Sequence, residues 1–223
     1  MNKLLMHPAT KPLVFLLCLW PFAWLLYGAF TDALGANPAE TLVRSTGDWT
    51  LRFICIVLAV TPLRVISGWN ALALYRRMLG LYVYFYVVLH LLCYAWFDMG
   101  FDIGEIAADI PKRPFILVGF AAFVLLTPLA ATSFNRAIKA LGAKRWQMLH
   151  KLVYLIAGLG LLHFFWMRAG KNNFAEVFVY AGIVAVLLLW RVWYHFVGKK
   201  RKKAQALAKA QAAAKVRASR GAV

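Results

Sequence analysis

Histidines in apolar segments are the residues of this chain whose type and spacing could do chemistry. His90, His150 and His163 lie inside or at the edge of apolar stretches. A charged side chain at membrane depth costs roughly 2.5–3.5 kcal/mol on insertion scales, so an ionisable residue there indicates function. Neutral imidazole is the commonest metal ligand. Because His90 and His163 lie in different segments, they could clamp one flat cofactor between two helices, which points to haem and to electron transfer.

The composition is that of a membrane protein. Of 223 residues, 63% are hydrophobic, whereas soluble domains have about 45–50%. A hydrocarbon core ~30 Å thick needs about 20 apolar residues per helix. Six stretches approach that length, at 13–30, 50–66, 79–97, 115–131, 150–167 and 175–197. We therefore predict an all-α membrane protein with a six-helix bundle over 13–197, an N-terminus at 1–12, a basic tail at 198–223 and no soluble catalytic domain.

The distribution of charge predicts how the bundle is oriented. The chain has 26 Lys and Arg against 8 Asp and Glu. If the N-terminus is cytoplasmic, one face carries Lys3, Lys11, Arg64, Arg76, Arg77, Arg136, Lys139, Lys144, Arg145, Lys151 and the run from Lys199, and the other carries all eight acids, Asp32, Glu40, Asp48, Asp98, Asp102, Glu105, Asp109 and Glu176. Cytoplasmic loops are enriched in Lys and Arg. Both termini are therefore predicted to be cytoplasmic.

The basic tail after Gly198 is rich in lysine and alanine. A polybasic segment next to a membrane helix is attracted to anionic lipid by about 1 kcal/mol per basic residue near the surface. The tail lacks the aromatic platforms on which nucleic acids stack, so we expect no nucleic acid as a partner. It also has no GxGxxG motif for a dinucleotide.

His90 and His163 are predicted to form a pair. The third and fifth helices run in the same direction, so equal depths face one another. At a rise of 1.5 Å per residue, His90 lies roughly 15 Å and His163 roughly 20 Å from the inner end. Both positions are in the outer half of the membrane. Ligation by two imidazoles leaves no open coordination position, which suits electron transfer by one haem b better than oxygen binding.

A second group is predicted at the inner face. His150 lies near the inner surface, and Arg76, with Arg77 beside it, lies at a similar depth on the third helix. An arginine is well suited to pair with a haem propionate or a flavin phosphate. His150 is thus a third candidate metal ligand, after His90 and His163. His150, Arg76 and Arg77 are all candidate cofactor contacts.

The helical phase leaves one conflict in this arrangement. A spacing of fourteen residues keeps Arg76 within about 40° of His90 on an ideal helix. A spacing of thirteen separates His150 from His163 by about 140° on a straight helix. A bend near Gly158, or approach of the inner cofactor from another side, would reconcile the two directions.

Several motifs around these residues resemble one known family. They are TPL at 61–63, RRMLGLYVYFYVVLH at 76–90, KRP at 112–114, LGAKRWQMLHKLVYL at 141–155 and HFFW at 163–166. In order and spacing, from about residue 10 to 197, the chain resembles the MsrQ (YedZ) family within the ferric-reductase-like transmembrane superfamily. Relatives in that superfamily typically place two histidines on each of two helices and hold two haems. Here Arg76 stands at the position of the fourth histidine, so a second haem stays open.

The resemblance implies a function. It implies haem b, with FMN as a further cofactor, in the bacterial inner membrane. The quinone pool or a cytoplasmic flavin reductase would supply the electrons. The recipient would be a periplasmic molybdenum-containing reductase, MsrP, that repairs methionine sulfoxide, a reversible lesion that makes an apolar side chain polar. The chain itself would then be the electron-transfer subunit and not the catalytic one.

Two other functions fit the same histidines. A stand-alone ferric or cupric reductase would use the same haem at the outer face without a protein partner. A transporter with a histidine relay would move protons or ions and bind no chromophore. Proton paths often recruit Asp or Glu, and the predicted spans contain almost none, which argues against the relay.

Overall fold

The fold is all-α and contains six helices that can cross a membrane. The computed structural model describes residues 1–169 and 172–220, with side chains described up to residue 198. In this part of the chain, the helices long and apolar enough to span a bilayer are Thr10–Phe30, Pro38–Ser67, Arg76–Asp98, Pro114–Ala131, Leu152–Ala169 and Ala175–Gly198. The predicted number of spans is confirmed.

The helices follow one another along the chain in a simple order. They are α1 (Asn2–Leu5), α2 (Thr10–Phe30), α3 (Pro38–Ser67), a 3₁₀ turn (Asn70–Leu74), α4 (Arg76–Cys93), a π-helical turn (Tyr94–Asp98), α5 (Ile103–Lys112), α6 (Pro114–Ala131), α7 (Asn135–Leu149), α8 (Leu152–Ala169) and α9 (Ala175–Arg220). The chain divides into two compact units, Met1–Val184 and Ala185–Val223. The first unit holds α1–α8 and the start of α9. The predicted basic tail begins at Gly198, and the side chains that follow Gly198 are not among those described.

Helix α3 begins much earlier than hydropathy predicts. It starts at Pro38 and not near residue 50, because a cap fixes its first turn. The side chain of Asn37 accepts a hydrogen bond from the backbone N–H of Glu40 at 3.1 Å, and proline suits the first helical position. The residues from 38 to 49 are charged or polar at several positions, which hides them from a hydropathy window. Asp48 therefore lies on a helix and not in an outer loop.

Two connections predicted as loops contain helices. Helix α5 is strongly amphipathic and is capped by Asp102, whose side chain accepts from the N–H of Glu105 at 3.0 Å. Helix α7 runs along the basic connection and ends at Leu149, with His150 as its C-terminal cap. Helix α8 begins only at Leu152. The prediction that His150 shares a helix with His163 is therefore wrong, and the phase conflict between these two residues disappears.

Two helix pairs dominate the packing of the first unit. Helix α3 packs mainly on α4, and α6 packs mainly on α8. Leu58 of the first pair and Ile156 and Ala157 of the second are almost completely buried. Each pair carries one histidine of the predicted haem site, His90 on α4 and His163 on α8.

Tyrosines of α4 and the turn before it hold the first helices of the chain. Tyr75 donates to the carbonyl of Leu5 at 2.5 Å, and Tyr82 donates to that of Phe15 at 2.8 Å. The hydroxyl of Tyr86 donates to the Cys18 carbonyl at 2.9 Å and accepts from the N–H of Phe22 at 3.1 Å. It is thus inserted into the backbone ladder beside Pro21, the helix-interior proline of α2. Prolines in membrane helices are tolerated where neighbouring helices satisfy the backbone in this way.

Removing the Tyr86 hydroxyl should destabilise the protein. Tyr86 is fully buried, so Tyr86→Phe removes two interhelical hydrogen bonds without opening a cavity. We expect a loss of about 1–2 kcal/mol, the value of such bonds in model membrane helices. Thermal unfolding in detergent measures it. Tyr84→Phe is the matched control, because among the described residues the Tyr84 hydroxyl has one long hydrogen bond, from Thr127 at 3.5 Å. An equal effect of both changes would contradict the role of Tyr86.

Candidate haem site

The rings of His90 and His163 face each other across the two helix pairs. Their centroids are 6.0 Å apart, and their planes cross at 79°. An imidazole nitrogen lies about 2 Å from a first-row metal ion, and a ring atom lies roughly 1 Å from its own centroid, so two rings on opposite sides of one ion have centroids about 6 Å apart. The spacing of the two rings is therefore that of two axial ligands of one metal.

His90 is held by the first turns of α3. Its Nδ1 donates to the carbonyl of Val43 at 2.8 Å. Gly47, one helical turn further along α3, lies against the same ring. A Cβ at position 47 would be 3.1 Å from Nδ1 and from Cε1 of His90. The absence of a side chain at Gly47 lets the ring reach the helix backbone.

His163 is held by α6 in the same way. Its Nδ1 donates to the carbonyl of Phe115 at 2.6 Å. Gly119 follows one turn later, and a Cβ at this position would be 2.8 Å from Nδ1 of His163. The same arrangement therefore occurs twice, with a carbonyl at one position and a glycine four residues later on the helix that faces each histidine.

These hydrogen bonds determine which nitrogen of each ring can bind a metal. A carbonyl oxygen only accepts, so Nδ1 of both histidines must carry the proton. In a neutral imidazole the lone pair then lies on Nε2. Donation from the other ring nitrogen to a backbone carbonyl is the usual way in which a metal-binding histidine is fixed in tautomer and orientation. Both rings are thus protonated at Nδ1 and have a free lone pair on Nε2, as a metal-binding histidine requires.

The two histidines line a cavity of about 620 Å³, within the range of about 300–1,000 Å³ for cofactor sites. Much of its wall is apolar and comes from α3, α4, α6 and α8, including Ile54, Val87, Leu91, Phe123, Leu126 and Ile156. The π-helical turn after α4 contributes Tyr94, Phe97 and Asp98. Such turns are frequent at functional sites. The size and polarity of this cavity suit a flat, largely apolar cofactor.

One end of the cavity is charged. Arg44 and Arg113 line it, together with Asn37, Glu40, Asp48 and Asp98. Arg44 forms an ion pair with Glu40, and Arg113 forms one with Asp109, which also accepts from the Tyr94 hydroxyl at 2.6 Å. The hydrogen bond from Arg113, and then that from Tyr94, hold the pKa of Asp109 below its ordinary value. Asp109 in turn raises the pKa of Arg113.

His150 lies apart from this cavity. Its ring stacks on Trp146 with centroids 3.9 Å apart, and its Nδ1 donates to the Trp146 carbonyl at 3.0 Å. Its Nε2 is 3.5 Å from Oγ of Ser133, just after α6. Burial lowers the pKa of His150; hydrogen bonds to backbone carbonyls oppose this, and the positive charge of Arg76 lowers the pKa further. His150 therefore favours the neutral form.

Arg76 and Arg77 tie the start of α4 to its neighbours. Arg76 donates to the Thr61 hydroxyl at 3.4 Å, and Arg77 donates to the side chain of Asn135 at 2.6 Å. The structure thus brings His90 and His163 together at one cavity. It gathers His150, Arg76 and Arg77 at the junction of α3, α4, α6 and α7.

The sequence alone does not predict several residues of the cavity. Gly47 and Gly119 resemble other glycines of apolar helices, and only the facing ring shows why they are small. The predicted spans place Arg44 and Asp48 in the connection between the first two helices, whereas both lie on α3. The N-terminal signature at Asn37, with Pro38 next and Glu40 three residues on, could have moved the start of α3 to include them.

The membrane helices and the facing histidines define a class of protein. A family model described as "Ferric reductase like transmembrane component" matches residues 46–161 of the chain. The chain therefore belongs to the ferric-reductase-like transmembrane proteins and is a multi-pass bacterial membrane protein.

Curated relatives narrow the family further. Three named "Protein-methionine-sulfoxide reductase heme-binding subunit MsrQ" come from Polaromonas naphthalenivorans, Herminiimonas arsenicoxydans and Ralstonia nicotianae, and are 78%, 54% and 53% identical to the chain. The alignments cover 90%, 89% and 86% of this chain and 92%, 90% and 89% of the respective relatives. The chain belongs to the MsrQ family.

Proposed function

We propose that this chain is the haem b subunit of an electron-transfer system in the bacterial inner membrane. It accepts electrons at the cytoplasmic face, from the quinone pool or a flavin reductase, and delivers them to the periplasmic reductase MsrP. The relatives' names support haem binding and a role with a methionine sulfoxide reductase. The single observation that carries the proposal is the pair of facing imidazoles in one cavity, at 6.0 Å and with both Nδ1 atoms bound to carbonyls.

In this proposal the chain's own residues hold and orient the cofactor. His90 and His163 would hold the haem iron through Nε2, since Nδ1 of each donates to a backbone carbonyl. The carbonyls of Val43 and Phe115 orient the rings and increase their basicity, as outer partners of metal ligands do. Haem b held by these two histidines would supply one-electron transfer.

The orientation of the bundle supports delivery to the periplasm. We propose that both termini are cytoplasmic, with 1–12 and 198–223 on that side, because the predicted inner face has no acidic residue. The charged end of the cavity comes from the start of α3 and from the segment between α4 and α6, which carry the acids assigned to the outer face. The haem site is then closest to the partner.

The inner group is proposed as the accepting end. His150, stacked on Trp146, and the guanidinium groups of Arg76 and Arg77 offer a ring surface and positive charge near the cytoplasmic ends of α4 and α6. Such a group suits the phosphate of FMN or a quinone head group. Arg76 is not an ordinary iron ligand, so a second haem is not part of the proposal.

Substitutions of the inner group should separate electron uptake from haem binding. We expect Arg76→Gln and His150→Gln to slow reduction by a cytoplasmic donor. The haem spectrum should persist, because the described residues that line the cavity of His90 and His163 include neither Arg76 nor His150. Stopped-flow reduction of inverted vesicles measures the rate, with Arg136→Gln as a control on α7. Loss of all haem in Arg76→Gln would contradict this division.

The proposed function is tested on the purified wild-type protein. We expect a low-spin Soret band, a sharp α band after dithionite reduction and one haem b per chain. In proteoliposomes with the reduced donor outside and MsrP enclosed, turnover of a methionine sulfoxide substrate should depend on the chain. If the protein reduces ferric citrate equally well without MsrP, the stand-alone metal reductase is favoured. If the purified protein has no chromophore, both functions are excluded.

A further inference from the structure

The charged end of the cavity has a specific composition. Among the described residues that line the cavity, the groups with a permanent positive charge are the guanidiniums of Arg44 and Arg113. They approach from different elements, Arg44 from the second turn of α3 and Arg113 from the residue before α6. Elsewhere the wall is mostly apolar, and the other charged lining residues, Glu40, Asp48 and Asp98, are acids at this same end.

Haem carries its paired carboxylates on one edge, and that edge must find donors. Burying a carboxylate without a partner costs far more than burying an apolar edge. An apolar wall cannot receive this edge, and neither can Glu40, Asp48 or Asp98, which only accept hydrogen bonds when ionised. Asn37, Thr50 and Tyr94 also line the cavity, but their donors are engaged with Glu40, the Thr46 carbonyl and Asp109. Among the described lining residues, the arginines are therefore the positively charged donors that can meet a carboxylate.

Arg44 and Arg113 can each bind a second carboxylate in addition to their present acidic partners. Glu40 lies four residues before Arg44, and Asp109 lies four residues before Arg113, each on the same helix or at its end. Both pairs are partly exposed to solvent. Ion pairs of this kind contribute little to stability, so sharing an arginine with a second carboxylate costs little. An arginine also has more donors than one carboxylate can use, in a planar fork that matches a carboxylate.

We propose that Arg44 and Arg113 bind the propionates of the haem and so orient its carboxylate edge toward the outer end of the cavity. The inference rests on the proposed function and assigns the polar contacts of the same site. Each arginine keeps its acidic neighbour as a second partner, Glu40 for Arg44 and Asp109 for Arg113. The Tyr94 hydroxyl positions Asp109, and through it Arg113, beside the cavity.

Propionate binding by the two arginines should affect pigment preference and midpoint potential. First, the wild-type site should prefer haem over haem dimethyl ester, whose propionates are neutral, and each arginine should carry part of that preference. Second, a positive charge beside the haem favours the reduced form, so loss of an arginine should lower the midpoint potential.

The experiment compares haem with its dimethyl ester in reconstitution of the full chain. Haem-depleted wild type, Arg44→Gln, Arg113→Gln and the double variant are titrated with each pigment, and binding is followed by the Soret band. We expect wild type to prefer haem by about tenfold per arginine contact. In each single variant, the preference for haem over the ester should fall about tenfold. The variant should bind haem more weakly and bind the ester as the wild type does. Arg64→Gln, at the other end of α3, is the matched control and should keep the full preference.

The outcomes separate this inference from the proposed function. If wild type binds haem with His90 and His163 but Arg44→Gln and Arg113→Gln keep the full preference and the wild-type midpoint potential, the propionate assignment is wrong and the electron-transfer function stands. If the arginine variants weaken both pigments equally, the arginines are structural and the inference also fails. If wild type binds no haem, the proposed function fails first. Arg113→Lys should retain the potential better than Arg113→Gln, because it keeps the charge.

Discussion

Replacing either His90 or His163 by alanine should abolish the low-spin haem spectrum of this protein. The centroids of the two rings are 6.0 Å apart, so if both bind one iron as proposed, the loss of either would leave that iron with a single histidine ligand. We expect His90→Ala and His163→Ala to yield either no bound haem or a five-coordinate, high-spin pigment. Absorption spectra and haem content of the purified variants measure the effect.

The control for this prediction is another histidine of the same chain. His195 lies on α9 near the end of the last span and is exposed. His195→Ala should keep the full low-spin spectrum and haem content. Retention of that spectrum in both His90→Ala and His163→Ala would show that the ligands are elsewhere.

Adding one methyl group at Gly119 should have an effect almost as large. A Cβ there would lie 2.8 Å from Nδ1 of His163 and 3.0 Å from its Cε1, too close for the ring to stay in place. The ring would have to leave the Phe115 carbonyl, which fixes its tautomer. Loss of an outer partner of a metal ligand typically reduces affinity about 10–100-fold, so Gly119→Ala should lose haem or shift to a mixed-spin spectrum.

Other glycines of the same bundle provide the comparison. A Cβ at Gly158 on α8, or at Gly80 on α4, meets nothing within 4 Å, so Gly158→Ala and Gly80→Ala should retain wild-type haem. Gly47→Ala should be intermediate, since its Cβ would lie 3.1 Å from the His90 ring. Equal haem content in Gly119→Ala and Gly158→Ala would contradict the account of the His163 site.

Much of the fold can be predicted because the membrane imposes its own rules on a sequence. Long apolar stretches predict the spans, and the six predicted spans are present among the described residues. The limits of the spans were harder to predict, since a helix can continue through polar residues once it is capped. Asn37 begins α3 well before the apolar run, and Asp102 caps a helix inside a predicted loop.

The sequence predicts that His90 and His163 lie close together, as the structure has them, but it does not predict the residues around them. Histidines in apolar segments are conspicuous because they are costly there, and depth alone pairs His90 with His163. The carbonyls of Val43 and Phe115 have no sequence signature, because every residue carries one. Gly47 and Gly119 become meaningful only when the facing ring is placed. The apolar run of α8 conceals the break after α7, so the sequence places His150 on the helix of His163, which is wrong.

The central claim is that His90 and His163 bind one haem iron from opposite sides. Low-temperature electron paramagnetic resonance of the oxidised wild-type protein tests it most directly. Imidazole planes crossed at 79° leave the iron π orbitals nearly degenerate, so we predict a strongly anisotropic low-spin signal that accounts for all the haem and disappears in His90→Ala and in His163→Ala. A high-spin signal from the wild-type protein would contradict ligation by both histidines.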